Sequence, residues 1–442
     1  MMSLEKKIAV FGLGHIGLPF TAALAHVGFE VIGVDPDRAK IDGLNRGEVP
    51  FYEPGMAETL NRNKRLIKYT TDADTGVKDS DAIFITVGTP LKSDHTPDYS
   101  QIDSCTREIA KNLRRGQLVV LKSTVVLGTT ENYFKPNLES ASGLKAGTDF
   151  YLAFCPERTV EGLAMHELYT LPKIIGGINP ESSEQAKRIL ERLGGSVTIV
   201  SSPRVAEMCK LADNIYRATN IGLGNEFGLL CEQASIDSGE FIAAVNKSYP
   251  RTNLFRPGLG ADGPCLEKDP CIFRYSAQQH GISRTPMIDA CIEQSDYSTL
   301  RLADMAEGFR KANGLEEIDL AMIGLSFKGF PETDDLRGSP ALKILEKMKA
   351  DRTPLRTVKL YDPLVEGFPG QRVCKTLDEA LDGSNVAMFL TNHPQIMRLN
   401  PQKIAGLLGK PSLLIDAWGN LDGYGQGIAG VTYFRVGKGY VK

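Results

Sequence analysis

The segment Pro257–Pro270, PGLGADGPCLEKDP, presents a cysteine as a chemical group. Gly258, Gly260 and Gly263 permit tight turns, and Pro264 suits the first position of a helix. That placement puts Cys265 in the helix's first turn, where backbone N–H groups and the helix dipole favour a thiolate. Lys268 and Asp269 follow about one turn later on a similar face. A cysteine so placed could attack a carbonyl. A buried structural thiol in a glycine-rich loop fits the segment equally well.

A second constellation lies near the start of the chain. Gly12-Leu13-Gly14-His15-Ile16-Gly17 follows a strand-like apolar run and opens a helical pattern. Its glycines allow a tight turn, close approach of a pyrophosphate and close helix–strand packing, with the helix N-terminus facing the phosphates. Asp35 ends the second strand, where a carboxylate would bond a ribose 2′-OH and repel a 2′-phosphate. NAD is thereby favoured over NADP. Arg38 and Lys40, counted with the cofactor contacts, keep the other choice open.

Other candidates sit where strands end, the ligand-binding edge of open α/β sheets. Val87-Gly88-Thr89-Pro90 and Ser123-Thr124 are two, although turn chemistry alone explains either pair. Glu157, with Arg158 beside it, and Glu161 follow another strand; they are candidate general bases or solvated loop acids. Lys210 and Asn214 share a helical face with Glu207 and Arg217. A covered lysine beside an amide could hold a developing oxyanion, whereas a solvated polar stripe has the same spacing. Lys328 in Phe327-Lys328-Gly329, and Arg337, suit a phosphate or sugar hydroxyl, or are surface charges.

The elements that must position these groups are legible in outline. A chain of 442 residues exceeds one ordinary core. Hydrophobic content of 42% with 24% charged residues is that of a soluble globular protein, and a net charge of −3 offers nothing to nucleic acid. The eight cysteines form no CxxC pair and no cluster at zinc spacing, so they read as cytoplasmic thiols with no metal site. No stretch reaches membrane-spanning length. Strands are expected at Ile8–Phe11, Val31–Val34, Ala82–Val87, Leu118–Leu121, Tyr151–Phe154, Lys173–Ile175 and Val197–Val200, alternating with helices as in a parallel sheet. A long helix, Val205–Ala234, opens a mostly helical middle region. From about Gly314 the architecture repeats, with strands at Leu320–Ile323, Val358–Tyr361, Val386–Leu390 and Leu413–Ile415. Even the second strand's ending recurs, Asp35-Pro36 and Asp362-Pro363, but the first turn, GLSFKG, lacks the dinucleotide fingerprint. The expected fold is α/β: two Rossmann-like doubly wound domains, 1–202 and 313–442, joined by a central helical region, 203–312.

The set resembles the UDP-glucose/GDP-mannose dehydrogenase family across essentially the whole chain. The resemblance rests on GLGHIGLP (12–19), VGTP (87–90), KSTV (122–125), CPER (155–158), AEMCKLADN (206–214), GPCLEKDP (263–270) and FKG…TDDLRGSP (327–340). It implies oxidation of the C6 hydroxymethyl of a nucleotide sugar to a carboxylate, with two NAD and a covalent thioester, in a homodimer built on the long helix. By that resemblance Cys265 is the nucleophile, and Lys210 and Asn214 hold the oxyanion. Asp269, Thr124 and Glu161, with Glu157, handle the proton and the hydrolytic water. Gly12, Gly14, His15, Ile16, Gly17, Asp35, Arg38, Lys40, Gly88, Thr89, Pro90, Ser123, Thr124, Lys268 and Arg337 are implied cofactor contacts. Glu157, Arg158, Lys210, Asn214, Tyr249, Arg251, Asn253, Gly258, Phe327 and Lys328 are implied substrate contacts, with Arg251 reaching into the partner's site.

CPER with HELY downstream, and YPRTN before the cysteine loop, resemble the members acting on UDP-N-acetylhexosamines more than the glucose enzymes. The expected substrate is therefore UDP-N-acetylmannosamine or UDP-N-acetylglucosamine. UDP-glucose or GDP-mannose, a two-electron hydroxyacid dehydrogenase and a weakened nucleotide-sugar-binding protein are the alternatives. One departure stands out: Asp262-Gly263 occupies the place of the family's Gly-Gly. A positive φ at Asp262 would carry strain, and its carboxylate would oppose a thiolate at Cys265.

Overall fold

The computed structural model describes residues 7–397, 399–421 and 429–441. They group into two compact units, Met1–Asp213 with Cys271–Ser283, and Asn214–Pro270 with Arg284–Lys442.

The first unit is built on β1 (Lys7–Phe11), β2 (Glu30–Val34), β3 (Ile67–Thr70), β4 (Ala82–Ile85), β5 (Leu118–Leu121), β6 (Tyr151–Phe154), β7 (Lys173–Gly177) and β8 (Val197–Ile199). They form one sheet in the order β3-β2-β1-β4-β5-β6-β7-β8. Apolar runs such as LVVL of β5 are buried throughout, because helices cover both faces of the sheet. Alternation then sends Ile8 and Val10 into one core layer, and Ala9 and Phe11 into the other. The expected all-parallel sheet needs correction: β7 runs antiparallel to β6, pairing Phe154 with Gly176. The sequence pattern also passes over β3, whose IKYT is only half-buried and so lacks the continuous apolar signal.

The second unit carries β9 (Ile318–Ile323), β10 (Leu355–Tyr361), β11 (Val386–Phe389), β12 (Ser412–Asp416), β13 (Val431–Arg435) and β14 (Gly439–Val441). Their order is β10-β9-β11-β12-β13-β14, parallel except for the β13–β14 hairpin, which the sequence pattern does not reveal. The architectural repeat reaches single hydrogen bonds. Asp35 accepts the N–H of Leu13 at 2.8 Å, and Asp362 accepts that of Leu325 at 2.6 Å. In each sheet the acid ending the second strand fastens the turn that follows the first.

The helix Pro203–Ala234 runs from the first unit into the second, and the helix Lys268–Gln279 runs from the second back into the first. Within the second unit the cysteine loop packs through Ala261 and Leu266 onto Ala218 of the long helix and Cys291 of the helix Pro286–Ala312.

Candidate active site

In the first unit, Gly12 turns the chain out of β1 with φ 91°. A Cβ on Gly17 would lie 1.8 Å from the Gly12 carbonyl oxygen and 2.5 Å from Thr86 Oγ1, so only glycine lets the helix Gly17–His26 start this close. A Cβ on Gly14 would meet nothing within 4 Å, so the backbone there stands open to an approaching phosphate. Ile16 stands at the helix N-cap. Asp35 is buried; Lys40 Nζ donates to its Oδ2 at 2.9 Å and the Asp37 N–H to its Oδ1 at 3.0 Å. Lys40 is thus turned toward Asp35, while Arg38 is exposed and faces Asp42 at 3.8 Å. A glycine turn at a helix start with a fixed acid at the second strand's end fits NAD.

The neighbouring strand ends are locked to one another. Thr89 Oγ1 donates to the Thr124 carbonyl at 2.6 Å, and Ser123 Oγ donates to the Val87 carbonyl at 2.7 Å. Gly88 donates its N–H to Gln101 Oε1 at 3.0 Å, and Pro90 is exposed nearby.

The CPER segment divides its acids. Glu157 turns beneath the strand end, 3.3 Å from the buried Lys122, and accepts the N–H groups of Arg158 and Thr159. Burial alone would push its carboxyl up, but Lys122 and these N–H groups overcome that and hold it below the usual carboxylate range. Glu161 instead faces His15 of the glycine turn at 3.6 Å, and that imidazole stacks on Phe51 with ring centroids 4.0 Å apart. Arg158 pairs with Asp213 at 2.6 Å. Glu207 is not part of a solvated stripe: it is buried and accepts the N–H groups of Gly128 and Thr130 at 2.5 and 2.8 Å. Lys210 is half-buried one turn later.

In the second unit, residues 264–267 form a turn and the helix begins at Lys268, so Pro264 is not its first residue and Cys265 precedes it. The turn nonetheless runs into the helix, since the Asp269 N–H donates to the Cys265 carbonyl at 2.9 Å. Cys265 is exposed, while Asp269 is fully buried. Asp269 accepts from Asn214 Nδ2 at 2.6 Å and from Lys268 Nζ at 2.8 Å. A carboxylate, an amide and an ammonium are therefore fixed one turn beyond the thiol. Phe327 lies directly against the loop: a Cβ on Gly263 would meet its ring at 2.4 Å. Lys328 Nζ lies 5.3 Å from that ring's centroid, and Arg337 clasps Asp335.

Asp262 does not carry the expected strain. The positive φ belongs to Gly263, at 91°, and Asp262 is not among the non-glycine residues that adopt one. Tyr249, Arg251 and Asn253 lie on an exposed loop, where the Arg251 guanidinium sits 4.6 Å over the Tyr249 ring. Gly258 is held from Asn225, whose Oδ1 accepts its N–H at 2.8 Å, and it faces Trp418, whose ring a Cβ would meet at 2.9 Å. Sequence reasoning missed Lys122, Asn225 and Trp418. A lysine closing the fully apolar run LVVLK was the one available signal, because a charge there needs a buried partner.

Family models of the UDP-glucose/GDP-mannose dehydrogenase family match the chain in three parts: the NAD-binding domain over residues 6–194, the central domain over 204–296 and the UDP-binding domain over 321–423. The chain is 33% identical to a UDP-N-acetyl-D-mannosamine dehydrogenase of Pyrococcus horikoshii over 425 residues, 93% of this chain and 94% of the relative. It is also 33% identical to the Escherichia coli (strain K12) enzyme of that name, over 90% of this chain and 96% of the relative. The solved structure of the Pyrococcus horikoshii UDP-D-ManNAc dehydrogenase superposes with a TM-score of 0.88 at 30% identity, covering 98% of this chain and 99% of that one. A UDP-N-acetyl-mannosamine dehydrogenase structure from Staphylococcus aureus gives 0.83 at 29% identity, over 98% of this chain and 98% of the other.

Proposed function

The chain belongs to the UDP-glucose/GDP-mannose dehydrogenase family and is an NAD-dependent nucleotide-sugar dehydrogenase, and we propose that it oxidises C6 of a UDP-N-acetylhexosamine, UDP-N-acetylmannosamine first, to the carboxylate. The observation that carries the chemical part of this reading is the Asn214–Asp269–Lys268 network one turn from Cys265. The sugar assignment is supported by the names of the relatives.

NAD, when bound, would accept the hydride released at each of two oxidations, alcohol to aldehyde and thiohemiacetal to thioester; Gly12, Gly14, Gly17 and Asp35 are the residues we assign to holding it. The Cys265 thiol adds to the C6 aldehyde carbon and retains the intermediate as a thiohemiacetal, from which a thioester forms and is hydrolysed. Lys210 and Asn214 donate to the oxygen on that carbon. Asp269 moves the proton, and Thr124 and Glu161 orient the water that cleaves the thioester. Lys328 and Phe327 are assigned to the nucleotide sugar. Glu157 acts from beneath the strand end, as its bonds to Lys122 and the backbone keep the CPER turn in shape.

A panel of UDP-N-acetylmannosamine, UDP-N-acetylglucosamine, UDP-glucose and GDP-mannose with NAD tests the sugar. UDP-N-acetylmannosamine is expected to give the highest kcat/KM. A higher value with UDP-glucose or GDP-mannose would reject the assignment.

We also propose a homodimer through the long helix. Tyr216, Leu223, Phe227 and Leu230 form one exposed apolar stripe on it, with Leu230 64% and Tyr216 55% exposed. Burying such side chains contributes about 1.5–3 kcal/mol each. Leu230→Asp is expected to weaken the dimer by about tenfold or more in sedimentation equilibrium. A variant that dimerises as tightly as the parent rules this stripe out as the interface.

A further inference from the structure

Asp262 stands three residues before Cys265 and is 8% exposed, although nothing in the loop's backbone requires an acid there. Its two oxygens reach two different helices. Oδ1 accepts from Lys343 Nζ at 2.8 Å, on the helix Pro340–Ala350, and Oδ2 accepts from Thr299 Oγ1 at 2.8 Å, on the helix Pro286–Ala312. Thr299 Oγ1 in turn accepts the Gly260 N–H at 2.9 Å. Beyond the cysteine, Glu267 Oε2 lies 3.4 Å from the same Lys343 Nζ. One ammonium thus bridges the residues on both flanks of Cys265. The Gly263 N–H donates to the Gly338 carbonyl at 3.2 Å, just ahead of the helix that carries Lys343.

We infer that Asp262 and Lys343 are positioning residues, an ion-pair clamp that holds the turn bearing Cys265 in its reactive shape. Lys343 is the cation paired with the buried Asp262, so removing it leaves that carboxylate without its counter-ion. Removing Asp262 leaves Lys343 with Glu267 and with Asp296 at 4.0 Å, but cuts its tie to the residue ahead of the cysteine. The carboxylate that the sequence set against a thiolate is compensated by Lys343 and Thr299 instead. The inference rests on Cys265 being the nucleophile.

The test uses the full-length protein and two readouts. Lys343→Met and Asp262→Gly are each expected to lower kcat about tenfold or more, with the KM for NAD within about twofold of the parent. In the same variants, without sugar, alkylation of Cys265 by iodoacetamide, followed by peptide mass spectrometry, is expected to slow about threefold or more. Lys343→Arg keeps the cation and is expected to retain most of both. If Lys343→Met does not fold, Asp262→Asn, which keeps the shape and a Thr299 bond, carries the comparison. Folded variants with parental kcat and alkylation rate, whatever their melting temperature, would overturn the clamp. Failure of the nucleophile assignment reads differently, as full turnover in Cys265→Ala.

Discussion

Cys265→Ala is expected to lower formation of the sugar acid by roughly 10³-fold or more while leaving NAD binding intact. The thiol is exposed in a turn that leads into a helix, and the next sulfur along the chain, Cys271, is buried and cannot take its place. Without it, an aldehyde at C6 has no covalent tether, so NADH should fall to at most one per sugar, with aldehyde released. Steady-state NADH production and an aldehyde trap in the same assay read both effects. Parental turnover in the folded variant would mean a two-electron alcohol dehydrogenase that has no need of the cysteine loop.

The second large effect is expected at Asp269. Its side chain is fully buried, yet both oxygens are engaged, one by the Asn214 amide and one by the Lys268 ammonium. Asp269→Asn keeps the volume and removes the charge. The amide has one acceptor oxygen where the carboxylate had two, so its NH2 must face either the Asn214 donor or the Lys268 ammonium, and one of the two bonds is lost. Losing a charge-assisted hydrogen bond of this kind costs about 2–3 kcal/mol of stability, measurable by denaturant unfolding. Turnover is expected to fall by about 10²-fold or more, because the amide that faces the reacting oxygen loses its orientation and a proton carrier is lost. A kcat within about threefold of the parent would remove Asp269 from the chemistry and leave it a structural anchor.

What the sequence disclosed depended on how local the cause was. The strands whose residues are buried on both faces, AIFI and LVVL among them, stand out as apolar runs, and GLGHIG follows from the turn it must make. β3 is half-exposed and β13–β14 is a short hairpin, so neither leaves a strong pattern. Strand direction is invisible to periodicity, which is why the antiparallel β6–β7 pair was not foreseen. The site residues were legible as types and spacings; their partners were not. Asp262 looked like a liability because the lysine that neutralises it lies 81 positions further on. For Glu157 the sequence leaves a general base and a solvated loop acid equally open, because the Lys122 that meets it follows the adjacent strand.

A four-electron oxidation through Cys265 leaves a countable product. Its most direct measurement is the stoichiometry of NADH to sugar, with purified protein, limiting UDP-N-acetylmannosamine and excess NAD, run to completion. Two NADH and one uronate are expected for each sugar consumed; one NADH per sugar, with the aldehyde as the end product, would rule out the four-electron reaction.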